Sequence, residues 1–267
     1  MYNWCYVRYD LTYNLLLGQS YSFSSMTQDH LDKMDISASG LLELKPDAIS
    51  RGVKKDVLGA DSLWSSDMLC RHLQFLEGLV PRNNEGAARL WIKAFFYRVA
   101  HMIPTGSNVV LSVEQVVPSV TVSDTSAHTL SGYIDWTAMV MPPQKAHLFL
   151  RNPILQHLRN DVSALFISEA KGPDQLLGNH VQQTIGEMLA CARTTGKTII
   201  RGVLTNGRAW IFIVLKLNDN GGGSYLLSDE LHISSGVSPR ITNEAVSLIC
   251  AIISHWVCLT HVVQEPC

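Results

Sequence analysis

The feature that most constrains this chain is an Asn-Gly step, Asn206-Gly207, between two β-rich segments. Residues 198–205 and 208–217 are rich in β-branched and aromatic side chains, which favour strands. An Asn-Gly pair between two such segments is a strong signal for a tight antiparallel hairpin. The rest of the chain must then supply the remaining strands and the helices that cover the sheet.

Segments before this hairpin alternate between helix-like and strand-like patterns. Apolar residues at helical spacing predict helices over 62–79, 85–101 and 174–194. Asn83 or Asn84 is expected to cap the second of these helices. β-rich segments predict strands at 109–117, 119–122, 132–141 and 163–170, with a loop and a short helix at 143–161. This order predicts an α/β (α+β) fold, in which a mixed sheet is flanked by helices.

We expect a single domain over residues 1–267 with three parts. Residues 1–80 form a helical or irregular N-terminal extension with a turn-like SASG at 37–40, residues 83–217 the core, and residues 218–267 a C-terminal hairpin and helix. The apolar segment 245–263 is interrupted by serine, threonine and histidine. A spanning helix needs about 20 nearly uninterrupted apolar residues, so a packed terminal helix is the prediction and no membrane partner is expected.

Composition excludes some classes of protein. A formal net charge of −2 argues against a broadly basic nucleic-acid binder, although a cleft can still be locally positive. The six cysteines form no CxxC pair, which favours free thiols in a reducing compartment. Arg8 and Asp10 interrupt the first apolar residues, so no signal peptide is expected. The predicted location is intracellular, in the cytoplasm or nucleus.

Three residues in the strand-like segments carry the chemistry. Asp135 lies inside an apolar strand pattern, and Glu169 ends another one, with Lys171 two positions later. Residues two apart in a strand point to the same face, so Glu169 and Lys171 should project together. If the two strands are neighbours, two carboxylates and an ammonium converge, as metal-assisted phosphodiester hydrolysis requires. The alternative is a pair of strand-end acids that are solvated or bridged to basic residues.

An acidic-x-Lys triplet alone is a weak signal, and the chain has a second one, Glu43-Leu44-Lys45. Pro46 follows that triplet directly and no β-rich segment is evident before it, so only the Glu169 triplet has the expected setting. Thr195-Gly196-Lys197-Thr198 lacks the upstream glycine of a phosphate-binding loop and leads into a strand.

Residues 132–135 (GYID) and 166–172 (FISEAKG) resemble the Asp…Glu-x-Lys signature of the PD-(D/E)XK nuclease superfamily. More closely, the chain resembles the fungal restriction-endonuclease-like domains of basidiomycete proteins and Crinkler-type effectors. Those domains share a GxxD, an EAK strand end, a Gln-bearing helix, here residues 180–183 (HVQQ), and a strand pair with the pattern found here at 202–212. The resemblance covers about residues 83–217.

The resemblance implies a PD-(D/E)XK core and a Mg²⁺ or Mn²⁺ ion held by Asp135 and Glu169, with help from the Ala170 carbonyl. It also implies catalytic roles for Lys171 and for Gln183. Gln182 points about 100° away on a helix, so only one of the two glutamines can face the site, whereas Glu187 shares the face of Gln183. The alternative for Gln183 is a solvated helix residue.

The resemblance further implies that Glu85, on the first core helix, completes the metal site. An acid in a first helical turn is favoured by the helix dipole in any case, and Arg89 at i+4 could pair with it. The expected function is metal-dependent cleavage of nucleic acid, of DNA in preference to RNA. Two alternatives stay open: a catalytically silent module of the same fold that binds nucleic acid or protein, and a partner domain such as one that accompanies a kinase.

Overall fold

A computed structural model describes residues 18–47, 50, 59, 63–81, 84–122, 128–158, 164–172, 174–219, 221–234 and 241–258. The strands of this part of the chain are β1 (Ser20–Ser22), β2 (Ile36–Leu42), β3 (Asn108–Thr121), β4 (Thr129–Met141), β5 (Ala164–Ala170), β6 (Ile199–Thr205), β7 (Ala209–Leu217), β8 (Gly223–Ser228) and β9 (Leu231–His232). The helices with described bounds are α1 (Gln28–Lys33), α2 (Ser66–Leu79), α3 (Glu85–His101), α4 (Pro143–Arg151), α5 (Val181–Thr195) and α6 (Asn243–Cys258).

These strands form one mixed sheet in the order β1-β4-β5-β6-β7-β8-β2, with β3 paired to β4 and β9 to β7. The pairs β5–β6, β1–β4 and β2–β8 are parallel, and the other pairs are antiparallel. Buried side chains lie on both faces. One cluster joins the sheet to α1, α4 and α5, and a second joins it to α2, α3 and α6. The predicted mixed sheet flanked by helices is therefore confirmed.

The predicted hairpin is the antiparallel pair of β6 and β7. The Asn206 side chain accepts hydrogen bonds from the main-chain N–H of Arg208 and Ala209, at 3.0 and 2.8 Å. Gly207 has φ +81°, and a Cβ there would lie 2.6 Å from the Cβ of Trp91 on α3. Only glycine fits both the backbone angle and this close approach, so the turn also fixes the packing of α3 on the sheet.

The three predicted helices are present, and two of them, α2 and α5, begin later than predicted. Asn84 caps α3 by accepting from the N–H of Ala87 at 2.8 Å. Helix α2 begins at Ser66 rather than at residue 62, because Ser65 caps it, and Leu63 is exposed. Helix α5 begins at Val181 rather than at residue 174. Leu176 is extended, with ψ 114°, and a short 3-10 turn, Leu177–His180, separates it from the helix.

Three strand predictions are wrong in detail. The segments predicted as separate strands at 109–117 and 119–122 are one strand, β3, with a register shift between Val117 and Val120. The N-terminal extension contributes strands β1 and β2, and the turn-like residues 37–40 belong to β2. Serine and glycine are poor strand formers, but parallel pairing with β8 provides the strand partner, and Gly40 takes φ +141° at a register shift. Residues 1–17 lie outside the described part.

The predicted terminal helix is α6, which buries Val246, Ile249, Ile253 and Val257 in the second cluster. Within the residues that the structure describes, no helix is both long and apolar enough to cross a membrane. Cys70, Cys191 and Cys250 are buried, as predicted. Cys5 and Cys267 lie outside the described residues.

Candidate active site

The site forms where β4 and β5 separate. The two strands are antiparallel neighbours, and their ladder runs from Val140–Ala164 to Trp136–Ser168. At the next position the Asp135 side chain takes the place of the main-chain partner. Its Oδ2 accepts a hydrogen bond from the N–H of Ala170 at 2.8 Å. The predicted proximity of Asp135 to the end of β5 is thus confirmed, and a main-chain donor fixes the orientation of the carboxylate.

A local irregularity of the β3–β4 pair turns Asp135 toward this position. Ile134 and Trp136 are two residues apart and should share a face, yet they pack in opposite hydrophobic clusters. Across the pair, Val113 aligns with Trp136 and Gln115 with Ile134. Glu114 between them has φ +52°, a left-handed conformation that is uncommon for a side chain other than glycine. Such outliers cluster at functional sites.

Glu169, Lys171 and Gln183 form one hydrogen-bond network. Lys171 Nζ lies 2.6 Å from Glu169 Oε1 and 3.0 Å from Gln183 Oε1. Gln183 Nε2 donates in turn to Glu169 Oε1 at 2.6 Å. Glu169 and Lys171 side chains are only 5% and 9% exposed, so the ammonium and carboxylate are held in a largely dry environment. The prediction that Glu169 and Lys171 project to one face is confirmed, and Gln183 faces them.

Glu187 extends this network into the core. It is fully buried one turn after Gln183, and its Oε1 accepts from Gln183 Nε2 at 3.0 Å. Its Oε2 is buried with no hydrogen-bond partner in the described part of the chain. The predicted shared face of Gln183 and Glu187 is therefore confirmed. The Gln183 amide nitrogen lies against the carboxyl groups of Glu169 and Glu187, and its oxygen lies against Lys171 Nζ. These neighbours determine which end of the amide carries the nitrogen and which the oxygen.

Arg89 connects α3 to the other side of Asp135. It donates to Glu85 at 2.8 Å, to Glu114 at 3.0 Å and to Asp135 Oδ1. The expected i,i+4 pair of Arg89 with Glu85 is present, and the structure adds two further carboxylates. Glu85 reaches the site through Arg89, with no direct contact to Glu169 or Lys171 among those the structure describes. Its predicted role at the metal stays a prediction.

Burial and mutual repulsion raise the pKa of the acids. Burial raises the pKa of Asp135, and the N–H of Ala170 and the charge of Arg89 only partly offset this. Burial, followed by the charge of Asp135, raises the pKa of Glu169 to about 7, against the effect of Lys171. Burial and the charge of Glu169 raise the pKa of Glu187 as well. These buried acids therefore ionise less readily than exposed carboxyl groups do.

Two basic groups respond to the same environment. Partial burial acts to lower the pKa of Arg89, but Asp135 and the two glutamates outweigh it and hold that pKa above its ordinary value. His180, directly before α5, has a lowered pKa because it is partly buried and faces the charge of Lys171. A neutral imidazole at the edge of the site can accept or donate one hydrogen bond.

The donor set suits a hard divalent cation. Within the described residues, no group of three or more His, Cys, Asp or Glu side chains is arranged to hold a metal by itself. Mg²⁺, however, is usually bound through one or two carboxylates together with water and substrate phosphate. Asp135 and Glu169 supply two such carboxylates, and the buried carboxyl group of Glu187 lies next to that of Glu169. Ligation by the Ala170 carbonyl stays a prediction.

The sequence alone did not predict two residues of this site, and it gave a wrong expectation for the second acidic-x-Lys triplet, Glu43-Leu44-Lys45. It named Arg89 only as a partner of Glu85 and did not single out Glu114, because the contacts of Arg89 with Asp135 and Glu114 do not follow from local spacing. It also held that no strand precedes the Glu43 triplet. That expectation is wrong, since β2 ends at Leu42 directly before Glu43. The three residues of this triplet are nevertheless exposed.

No protein-family model matches the chain, and no curated protein matches it either.

Proposed function

We propose that this protein is a divalent-metal-dependent nuclease with a PD-(D/E)XK-type core, acting on DNA or RNA. The observation that carries the proposal is the convergence of Asp135, Glu169 and Lys171 at the point where β4 and β5 separate. Asp135 on β4, Glu169 on β5 and Lys171 directly after β5 were named from the sequence, and they meet there with a helix glutamine. Two carboxylates and an ammonium in this arrangement suit phosphodiester hydrolysis.

Each residue has a separate task in this proposal. Asp135 and Glu169 would hold Mg²⁺ or Mn²⁺, which supplies Lewis-acid stabilisation of the negative charge on a phosphate. Lys171 is oriented by Glu169 and Gln183, so its Nζ is available to stabilise developing charge or to orient the attacking water. Gln183 positions Lys171, and Glu187 keeps Gln183 in the required amide orientation.

The local charge balance supports a role for a cation. Among the described residues, Arg89 and Lys171 are the basic side chains within hydrogen-bond distance of four carboxyl groups, those of Glu85, Glu114, Asp135 and Glu169. A polyanion would be repelled by this excess of carboxyl groups. A divalent cation at Asp135 and Glu169 would correct the balance, lower their raised pKa values and attract a phosphate.

One observation favours the second candidate, a catalytically silent module that binds nucleic acid or protein. Both oxygens of Asp135 already have donors, Ala170 N–H on one and Arg89 on the other. An arginine that permanently neutralises the acid would make a metal unnecessary. Metal binding and cleavage therefore distinguish the two candidates.

The test is to incubate the full chain with plasmid DNA, single-stranded DNA and RNA in Mg²⁺, Mn²⁺ or EDTA. We expect cleavage of at least one substrate in metal, no cleavage in EDTA, and a loss of about 100-fold or more in Asp135→Asn, because a charged metal ligand is removed. Melting temperature is measured in parallel. Metal should raise it in the wild type, and Asp135→Asn should abolish the rise.

The two measurements separate the outcomes. Cleavage that survives in Asp135→Asn would indicate a different site or a contaminating nuclease. A folded wild type that neither cleaves nor gains stability from metal would support the silent module.

A further inference from the structure

Arg89 joins three carboxylates that come from three different elements. Glu85 lies on α3, Glu114 on β3 and Asp135 on β4, and each accepts a hydrogen bond from the same guanidinium. The side chain of Arg89 is 28% exposed, so it lies at the surface of the site rather than in the core. A residue in this position can leave one partner without disrupting the packing of either hydrophobic cluster.

The contacts of Arg89 are incomplete. Its Nη atoms make the three ion pairs, but its Nε is buried with no hydrogen-bond partner in the part of the chain that the structure describes. A buried donor without a partner is unfavourable, because it has lost its hydrogen bond to water and gained no other. The present position of the guanidinium is therefore a compromise between strong ion pairs and an unsatisfied N–H.

Asp135 is the residue for which Arg89 and a metal would compete. Its Oδ2 is occupied by the N–H of Ala170, which is part of the strand and cannot move away. Its Oδ1 is the oxygen that Arg89 contacts. The other two partners of Arg89 are more exposed, with Glu85 at 41% and Glu114 at 66%. A guanidinium that leaves Asp135 would still have both of them.

We infer that Arg89 is a displaceable internal cation. It neutralises Asp135 when no metal is bound, and it releases Oδ1 and stays with Glu85 and Glu114 when a divalent cation binds. This inference rests on the proposed metal site, and it makes Arg89 a residue that sets the affinity of that site for metal. Glu114, which has a left-handed backbone conformation, offers Arg89 a carboxylate from β3 that does not compete for Asp135.

The consequence is a measurable competition. If Arg89 occupies Asp135 in most molecules, the apparent metal affinity falls by the fraction in which Asp135 is free. Removal of the guanidinium should therefore tighten metal binding, even though it also removes favourable ion pairs. A residue that merely supports the fold would not have this effect, since its loss would weaken binding or leave it unchanged.

The experiment titrates Mn²⁺ into the full chain and measures bound metal by calorimetry and by the electron paramagnetic resonance of free Mn²⁺. Arg89→Met removes the charge and retains a long apolar stem. We expect it to bind Mn²⁺ about tenfold more tightly than the wild type, as for a competitor present in about nine-tenths of molecules. Its melting temperature should be lower than that of the wild type in EDTA, and Mn²⁺ should narrow this difference.

Two further variants keep the result interpretable. Arg89→Lys retains a charge but lacks the planar fork that contacts three carboxylates, so it should also bind Mn²⁺ more tightly, by a smaller factor. It serves as the test if Arg89→Met does not fold. Lys33→Met is the matched control, because it removes another exposed i,i+4 ion pair, Lys33–Asp29 at 2.7 Å, and should leave Mn²⁺ affinity unchanged.

Failure of this inference differs from failure of the proposed function. Mn²⁺ binding that is equal or weaker in both Arg89 variants, while Asp135→Asn abolishes it, would overturn the displaceable cation and leave the metal site standing. Absence of Mn²⁺ binding in the wild type and in both folded Arg89 variants would overturn the two proposals together.

Discussion

The chain contains two acidic-x-Lys triplets, each placed at the end of a strand of the same sheet. Glu43-Leu44-Lys45 follows β2, and Glu169-Ala170-Lys171 lies at the end of β5. Strand β2 is the last strand at one edge of the sheet, whereas β5 lies between β4 and β6. The first triplet is exposed, and the second is buried with an internal ion pair. Their local sequences are nearly the same, but their surroundings differ.

The difference shows that the triplet itself does not make the site. At β5 the neighbouring strand provides Asp135, and α5 crosses the face with Gln183 and Glu187. Burial removes water, so each charge must be matched by protein groups, and the pKa values of the acids rise. At β2 water surrounds the acid and the lysine and screens them. Chemistry is therefore expected only at the buried triplet.

The largest expected difference between the triplets is in activity. We expect Lys171→Ala to lower metal-dependent cleavage by about 100-fold to 1000-fold, the usual effect of removing a group that stabilises developing charge. Lys45→Ala should leave the rate unchanged, because Lys45 is exposed and lies outside the network. Initial rates on the best substrate of the wild type measure both. Equal rates for the two variants would show that the buried lysine is structural only.

The next difference concerns stability and pH in EDTA. Glu169 has a folded pKa of about 7, against an ordinary value of 4.5, so the folded protein binds this proton more tightly than the unfolded chain. Its contribution to the free energy of unfolding therefore falls as pH rises from about 4.5 to about 7, and is constant above that. The shift corresponds to a loss of up to about 3 kcal/mol.

Urea unfolding at pH 5, 6, 7 and 8 tests this expectation. Glu169→Gln should remove most of this part of the pH dependence, because an amide does not titrate. Glu43→Gln, the matched change at the exposed triplet, should keep the wild-type slope. If the unfolding free energy of Glu169→Gln keeps the wild-type dependence on pH, that dependence comes from Asp135 or Glu187, the other site acids with raised pKa values.

Local patterns predicted the parts of the site that lie within single elements. Strand alternation places Glu169 and Lys171 on one face of the sheet, and helical spacing places Gln183 and Glu187 on one face of α5. The capping asparagine before α3 and the Asn-Gly turn could also be predicted from the sequence, because each depends on a few neighbouring residues. These predictions needed no knowledge of which elements meet.

The parts that could not be predicted depend on tertiary contacts. Strand β2, with the sequence ISASGLL, contains a single β-branched residue and forms a strand beside β8, a pairing that local propensity does not indicate. The contact of Arg89 with Asp135 spans 46 residues and requires α3 to lie against the β3–β4 pair. The position of Glu114 could not be predicted because its left-handed conformation interrupts the alternation of side chains between the two faces of a strand.

The smallest expected difference between the two regions is in packing. Gly132, near Asp135, and Gly40, near Glu43, both have positive φ, so a Cβ introduces backbone strain at each. A Cβ at Gly132 would lie 2.6 Å from the buried ring of Phe23, whereas at Gly40 the nearest contact is an ordinary 3.6 Å to Leu226. Because the strain is shared, the difference between Gly132→Ala and Gly40→Ala isolates the steric overlap. We expect Gly132→Ala to be less stable by about 1–3 kcal/mol in urea unfolding. Equal losses would mean that Phe23 can move away, and that the strand beside Asp135 is no more tightly packed than the exposed edge.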